Sequence, residues 1–154
     1  MHFISTIYQG VIWLGNHLQS IFLLAVRLFW GYSFFQAGSG KLANISGIIE
    51  YFQSLGIPYP QINAYLAAST ETIGGICLIL GLFSRLVSIP LMFTMIVAYA
   101  TAHHEVLVSI FTDSEAFIAQ TPFTFLFASL IIFIFGPGKI ALDYLLKIER
   151  NHER

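Results

Sequence analysis

Charge is the scarcest property of this chain: of its 154 residues, only 10% are Asp, Glu, Lys or Arg. Soluble domains carry about a quarter charged residues, so this chain cannot cover a folded surface with charge. The apolar fraction is 56%, and the formal net charge of −1 provides no basic surface for nucleic acid. The composition therefore excludes a typical water-soluble domain and a nucleic-acid-binding protein, and it predicts that a lipid bilayer surrounds the chain.

Cysteine is nearly absent as well. Cys77 is the single cysteine, so the chain cannot form an internal disulfide, and it has no Cys-x-x-Cys pair for dithiol chemistry or zinc binding. We predict no metal site. A haem held by two histidines is disfavoured, because His17 and His103 belong to opposite ends of the predicted bundle, whereas a haem with one histidine ligand stays open.

Long apolar runs, by contrast, are plentiful. A helix needs about 20 mostly apolar residues to cross the hydrocarbon core, and four segments meet this requirement: residues 20–38, 62–83, 86–102 and 118–135. Each is expected to be helical, because a lone strand in lipid leaves its backbone groups unpaired. The sequence therefore predicts an all-α membrane protein, a four-transmembrane-helix bundle that forms a single domain over residues 1–154.

Three further segments have apolar side chains at helical spacing. Residues 1–19 predict an N-terminal interfacial helix or an extension of the first span. Residues 45–55 predict an amphipathic segment over the mouth of the bundle, either as a lid or as a surface helix that only packs. The last residues predict a C-terminal amphipathic cytoplasmic helix, with Asp143 on its charged face.

Basic residues are distributed unevenly between the two sides of the predicted bundle. The side of the termini carries Arg85, Lys139, Lys147, Arg150 and Arg154, whereas the opposite side carries Lys41. Lys and Arg are enriched in cytoplasmic loops of membrane proteins. We therefore predict that both termini are cytoplasmic and that Arg85 is a basic residue of the membrane interface.

Two ionisable residues, Arg27 and Glu71, fall inside predicted spans. Each costs at least ~2.5 kcal/mol to place in lipid, so each must face protein, water or the other. Both lie on stripes that contain small residues, such as Gly31 on the first span and Gly75 on the second. Because small residues let helices approach closely, we predict that the two stripes face each other.

The depths at which the candidate basic residues lie in the membrane do not decide which of them pairs with Glu71. Helical rise separates Arg27 from Glu71 by about 7 Å, which a long arginine could bridge. Helical side chains lean toward their own N-terminus, however, which moves these two groups apart and makes Lys41 or a water-filled outer cavity a competing partner. The group is either a structural ion pair or network that locks the bundle, or a functional site.

His103 and Tyr99 extend this candidate group at the outer end of the third span. If His103 turns inward, it joins Glu71 and Lys41 around an outward-facing polar pocket suited to proton transfer. The alternative is that His103 is simply solvated at the interface. The candidate pocket or ion-pair network therefore consists of Arg27, Lys41, Glu71, Tyr99 and His103.

Six short motifs follow one another along residues 22–140: Arg27-x3-Gly31, Gly38-x2-Lys41-Leu42, Phe52-x2-Leu55-Gly56-Ile57-Pro58, Glu71-x2-Gly74-Gly75, Leu80-Gly81-Leu82-Phe83-Ser84-Arg85 and Ala102-His103. In this order they resemble the DoxX family of small bacterial membrane proteins. The resemblance implies a four-helix fold in the bacterial inner membrane and an association with redox physiology. Relatives resemble the membrane subunit of thiosulfate:quinone oxidoreductase or accompany catechol and quinone detoxification proteins. By match to these motifs, the resemblance implies that the functional positions of the family correspond to Arg27, Lys41, Glu71, Arg85 and His103 in this chain.

Two functions from different classes compete. The first is a redox-associated membrane subunit that binds a quinone or similar lipophilic molecule: Glu71 handles a proton, Lys41 or Arg27 holds a carbonyl or an anion, and His103 relays protons. The second is a non-enzymatic scaffold for a soluble oxidoreductase or for a second copy of the chain, which the absence of a cofactor-attachment motif favours. Whether the chain itself is an enzyme stays open. Transport ranks last, because no broken-helix pair or inverted repeat supports it.

Overall fold

The structure, a computed structural model, describes the backbone of residues 2–146 and the side chains of residues 7–146. Every regular element in this part of the chain is an α-helix, which confirms the all-α prediction. The helices are α1 (His2–Ala43), α2 (Ile45–Ser54), α3 (Pro60–Leu80), α4 (Ser84–Thr101), α5 (His104–Val108), α6 (Ser114–Ile118), α7 (Thr121–Phe135) and α8 (Leu142–Leu145).

Three helices of the described chain are long and apolar enough to cross a membrane: α1 over Ile7–Ala43, α3 and α4. They overlap the first three predicted spans, and the first of them extends well beyond the predicted residues 20–38 at both ends. The fourth predicted span, 118–135, is divided between the end of α6 and α7, and α7 has 15 residues. This is shorter than the roughly 20 residues that a crossing needs, so a fourth transmembrane helix stays a prediction.

The two ends of the chain differ in how they compare with the predictions. α1 is one continuous helix of 42 residues, because no proline occurs before Pro58 to interrupt it. The N-terminal segment is therefore an extension of the first span rather than a separate interfacial helix. At the other end, α8 ends at Leu145, and the rest of the predicted amphipathic tail helix, with Lys147, Arg150 and Arg154, lies outside the described residues.

α1 and α3 pack with their backbones in close contact. A Cβ atom added at Gly38 would collide with the backbone of Ala68 and Thr72, and one added at Gly75 would collide with the backbone of Phe35. Glycine therefore permits a separation that larger side chains would prevent. The contact confirms that the two stripes of small residues face each other.

α3 and α4 form an antiparallel hairpin whose turn contains Gly81 and Phe83, both with positive φ (69° and 49°). Residues 136–146 lie against this turn, since the Asp143 amide donates to the Gly81 carbonyl at 2.9 Å. We call this end of the bundle the terminal end. The opposite end holds α2 and residues 102–120, and we call it the distal end.

The apolar core joins α1, α3, α4 and α7. Its fully or nearly buried members are Phe34, Leu78, Leu91, Met95 and Ile132. The predicted amphipathic segment over residues 45–55 is present as α2, which packs against α3 at the distal end.

Candidate functional site

Glu71 pairs with Lys41. The Lys41 Nζ donates to Glu71 Oε1 at 2.5 Å and to Oε2 at 2.6 Å. The carboxylate side chain is only 2% exposed, whereas the lysine side chain is 30% exposed. Of the partners that the sequence leaves open for Glu71, the structure therefore selects Lys41.

Helix geometry explains this pairing. α1 continues to Ala43, so Lys41 lies in its last turn, where a cation is also favoured by the helix dipole. Side chains lean toward the N-terminus of their own helix. Lys41 therefore leans from the distal end into the bundle, and Glu71, on an antiparallel helix, leans out toward the distal end, so that the two charged groups meet.

The Lys41–Glu71 pair forms part of the wall of a cavity in the distal half of the bundle. The cavity has a volume of about 720 Å³, within the range of small-molecule sites. α1, α2, α3, α4 and α7 all contribute to it, and most of its wall is apolar: Ala37, Ile48, Phe52, Leu55, Leu66, Ala67, Phe93, Met95, Val97, Ala98 and Phe125. We call it the distal cavity.

α2 covers the distal cavity. Ile48, Phe52 and Leu55 contribute to the wall from this side, at the three-to-four spacing of one helix face. Glu50 and Gln53 are exposed. The helix therefore turns an apolar face to the cavity and polar side chains outward, as the sequence predicts for an amphipathic segment over the mouth of the bundle.

His103 and Tyr99 occupy different positions relative to the cavity. His103 is half-buried and contributes to the cavity wall. Tyr99 is 3% exposed and lies outside the wall: its hydroxyl donates to the Phe117 carbonyl at 2.7 Å, and its ring stacks on Phe117 with centroids 4.6 Å apart. Tyr99 thus anchors the chain between α4 and α7, with its ring centroid 6.0 Å from that of His103.

Arg27 lies at the terminal end, away from Glu71. Its Nη1 donates to the Pro137 carbonyl at 3.0 Å and its Nη2 to the Ile140 carbonyl at 2.8 Å. The residue is 1% exposed, and helical rise places it about 21 Å along α1 from Lys41. The structure therefore does not bring Arg27 to the distal cavity, and the guanidinium holds the segment that follows α7 against α1.

Asp143 is an important polar residue that the sequence placed on the charged face of a tail helix. In the structure it is 2% exposed. Its carboxylate accepts hydrogen bonds from the Phe83 amide at 2.7 Å and the Ser84 amide at 2.9 Å, and so caps the N-terminus of α4. The sequence carries no signal for this burial, because an acid spaced four residues from Lys139 and from Lys147 is typical of a solvated helix face.

The remaining predicted interface residue, Arg85, is exposed in the first turn of α4 at the terminal end. Among the side chains of residues 7–146, no group of at least three His, Cys, Asp or Glu side chains could hold a metal ion. The polar side chains in the wall of the distal cavity are those of the Lys41–Glu71 pair, His103 and six uncharged residues: Tyr51, Asn63, Thr70, Thr94, Thr101 and Thr121.

Comparisons with known proteins agree with this description of a membrane protein. The sequence model of the DoxX family matches residues 22–104, from α1 to the start of α5. "Putative oxidoreductase CatD" of Bacillus subtilis (strain 168) is 36% identical over 78 residues, 51% of this chain and 57% of that relative. "Inner membrane protein YphA" of Escherichia coli (strain K12) is 28% identical over 131 residues, 80% of this chain and 89% of that relative.

The match to the Bacillus protein thus covers little more than half of its length. No solved structure matches the chain significantly.

Proposed function

The chain belongs to the DoxX family, and from that premise we propose that it is a redox-associated protein of the bacterial inner membrane whose distal cavity binds a quinone or a similar lipophilic molecule. The observation that carries this proposal is the position of the Lys41–Glu71 pair in the wall of a largely apolar cavity. Small-molecule sites combine an apolar wall with a few convergent polar groups. The oxidoreductase name of the Bacillus relative supports the redox association.

Two polar groups of the cavity, Lys41 and His103, have a role in this proposal. The Lys41 ammonium has three hydrogens, and bonds to the two Glu71 oxygens leave one for an acceptor such as a quinone carbonyl. His103, half-buried in the same wall, exchanges protons with the distal surface. Because the chain has no cofactor-attachment motif, a partner oxidoreductase supplies or receives the electrons, and this chain acts as its non-catalytic membrane subunit.

The proposal includes an orientation. The basic residues near the terminal end, among them Arg85 and Lys139, favour the cytoplasmic side for both termini. The distal cavity then lies in the outer half of the membrane. The chain forms one DoxX-like domain with four crossings, of which α7 is the shortest.

Quinone titration of the purified protein in nanodiscs tests the binding function. Trp13 and Trp30 are the two tryptophans, so Trp13→Phe leaves Trp30 as the only reporter. The Trp30 ring centroid is 5.3 Å from that of Phe125, and Phe125 contributes to the cavity wall. We expect decylubiquinone to quench Trp30 fluorescence along a saturable curve.

A matched pair of variants assigns this quenching to the cavity. Ala98 contributes to the wall, whereas Ala100, two residues further along α4, is exposed. Ala98→Phe fills the cavity and should weaken binding by roughly 5- to 150-fold, since overpacking such a site costs roughly 1–3 kcal/mol. Ala100→Phe should bind like the parent protein. Quenching that rises linearly with quinone and is equal in both variants would refute the proposal.

A scaffold function is the second candidate. The closed pair between Lys41 and Glu71 supports it, because both carboxylate oxygens already have a partner within the bundle. Arg27 and Asp143 likewise bond to backbone groups that fix helix packing. If this is the function, the titration gives no saturable quenching although the protein is folded.

A further inference from the structure

We propose that the ligand of the distal cavity is an uncharged lipophile with a hydrocarbon tail, and that the tail leaves the cavity sideways between α3 and α4 into the lipid while the polar head lies at Lys41. This inference rests on the proposed binding function and adds to it the class of ligand and its route. It excludes a small water-soluble molecule that enters from the distal surface beneath α2.

The cavity has an opening between α3 and α4. Leu66 on α3 and Phe93 on α4 both contribute to its wall, yet they are 61% and 64% exposed. A side chain that contributes to a cavity wall and is mostly exposed lies at its rim. Since Leu66 and Phe93 belong to consecutive antiparallel helices, one part of the rim lies between those helices, and exposed wall residues such as Pro58 and Thr121 form another part at the distal surface.

The packing of α3 and α4 explains why the opening is in the distal half. Near the turn the helices are in close contact: a Cβ added at Gly74 would lie 2.8 Å from Leu91 Cδ2. Toward the distal end the helices have different neighbours. The start of α3 packs against α2, and the end of α4 packs through Tyr99 against Phe117. The close approach of α3 and α4 thus lies toward the terminal end, and other elements pack against each of them toward the distal end.

The opening is at the depth of acyl chains. Leu66 is about 9 Å of helical rise from the start of α3, and Phe93 is about 12 Å from the end of α4. Exposed apolar side chains lie on both helices around it: Ile62, Ile73, Ile89 and Ile96. Such a surface is stable in lipid, so a molecule in the opening contacts hydrocarbon on its outer side.

The charged pair sets the polarity of the head. Lys41 and Glu71 together carry no net charge, and an anionic head at the lysine would also meet the carboxylate, which lies within 2.6 Å of the same nitrogen. An uncharged acceptor such as a carbonyl oxygen can take the remaining lysine hydrogen without this repulsion. The preferred ligand therefore has a neutral acceptor at one end and an apolar tail at the other.

A tryptophan placed at the rim tests the route. Phe93→Trp is made in a protein in which Trp13 and Trp30 are phenylalanine, and Ile96→Trp in the same background is the matched control. Both positions are exposed, at 64% and 52%, but only Phe93 contributes to the cavity wall. Leu66→Trp provides a second rim probe should Phe93→Trp not be recovered as a folded protein.

The probes are decylubiquinone and its tail-less parent quinone, added to each variant in nanodiscs, with brominated lipid to report lipid contact. We expect brominated lipid to quench both tryptophans. Decylubiquinone should quench the rim tryptophan along a saturable curve and the control only linearly. The tail-less quinone should need an at least about tenfold higher concentration in the aqueous phase to reach half-saturation, because it has no tail to place in the lipid.

The outcomes separate this inference from the binding function. Saturable quenching of Trp30 in the Trp13→Phe protein, combined with linear quenching at the rim, overturns the lateral route and leaves the binding function standing. Equal half-saturation by the two quinones, each compared at its concentration in the aqueous phase, also overturns it, because the bound tail would then gain nothing from the lipid. Linear quenching of Trp30 as well would mean that the binding function itself is wrong.

Discussion

Removal of Lys41 tests how strongly the ion pair stabilises the fold. In Lys41→Met the Glu71 side chain, 2% exposed, loses the partner of both its oxygens. Removal of one partner of a buried pair costs about 3–5 kcal/mol, because the other charge is left uncompensated. Since the lysine side chain is 30% exposed, water screens part of the interaction, and we expect a loss of about 3 kcal/mol. This corresponds to roughly a hundredfold change in the ratio of folded to unfolded protein.

The double variant Lys41→Met/Glu71→Leu should recover most of this loss, because an apolar replacement of a complete buried pair is often neutral or stabilising. Lys139→Met is the matched control: Lys139 is exposed at the terminal end, and the expected change is under about 0.5 kcal/mol. The free energy of unfolding is measured by reversible titration with SDS in mixed micelles, followed by circular dichroism. The reasoning fails if Lys41→Met unfolds like the parent protein, or if the double variant is no more stable than the single one.

Two further substitutions test the packing on which the site depends. Gly38→Ala should destabilise the bundle by about 1–3 kcal/mol, because the new methyl group meets the backbone at Thr72. The control Gly40→Ala has nothing within 4 Å of the new methyl group and should be neutral or slightly stabilising in the same unfolding titration. Equal effects of the two substitutions would contradict the close contact of α1 with α3. Asp143→Asn should cost about 1–3 kcal/mol, because a charged acceptor at the start of α4 is lost. Asp113→Asn, at an exposed cap, should cost less than about 1 kcal/mol, and the opposite order would show that the α4 cap is not important for stability.

The sequence predicts those parts of the fold that depend on local composition and helical periodicity. Apolar runs locate α1, α3 and α4, and small residues at helical spacing identify the faces on which α1 and α3 meet. The apolar spacing of residues 45–55 likewise predicts α2 and its position over the cavity. Each of these inferences needs only the residues of one segment and the geometry of a helix.

The contacts of Arg27 could not be predicted in this way. Its partners are backbone carbonyls of Pro137 and Ile140, more than a hundred residues away, and a carbonyl has no sequence signature. The pairing of Glu71 required knowledge that α1 continues helically to Lys41, beyond the predicted end of the span at residue 38. The cavity itself depends on how α1, α2, α3, α4 and α7 are placed around it, which the pattern within each helix does not determine.

The cap on α4 has a consequence for the order of biosynthesis. The acid that satisfies the Phe83 and Ser84 amides is 60 and 59 residues downstream of them. A ribosome makes the α3–α4 hairpin first, so the hairpin enters the membrane with these amides uncapped. The hydrogen bond from Arg27 to the Ile140 carbonyl likewise cannot form until Ile140 has been synthesised. The distal half of the nascent bundle can assemble early, but the contacts that stabilise the terminal end can form only after Asp143 has been synthesised.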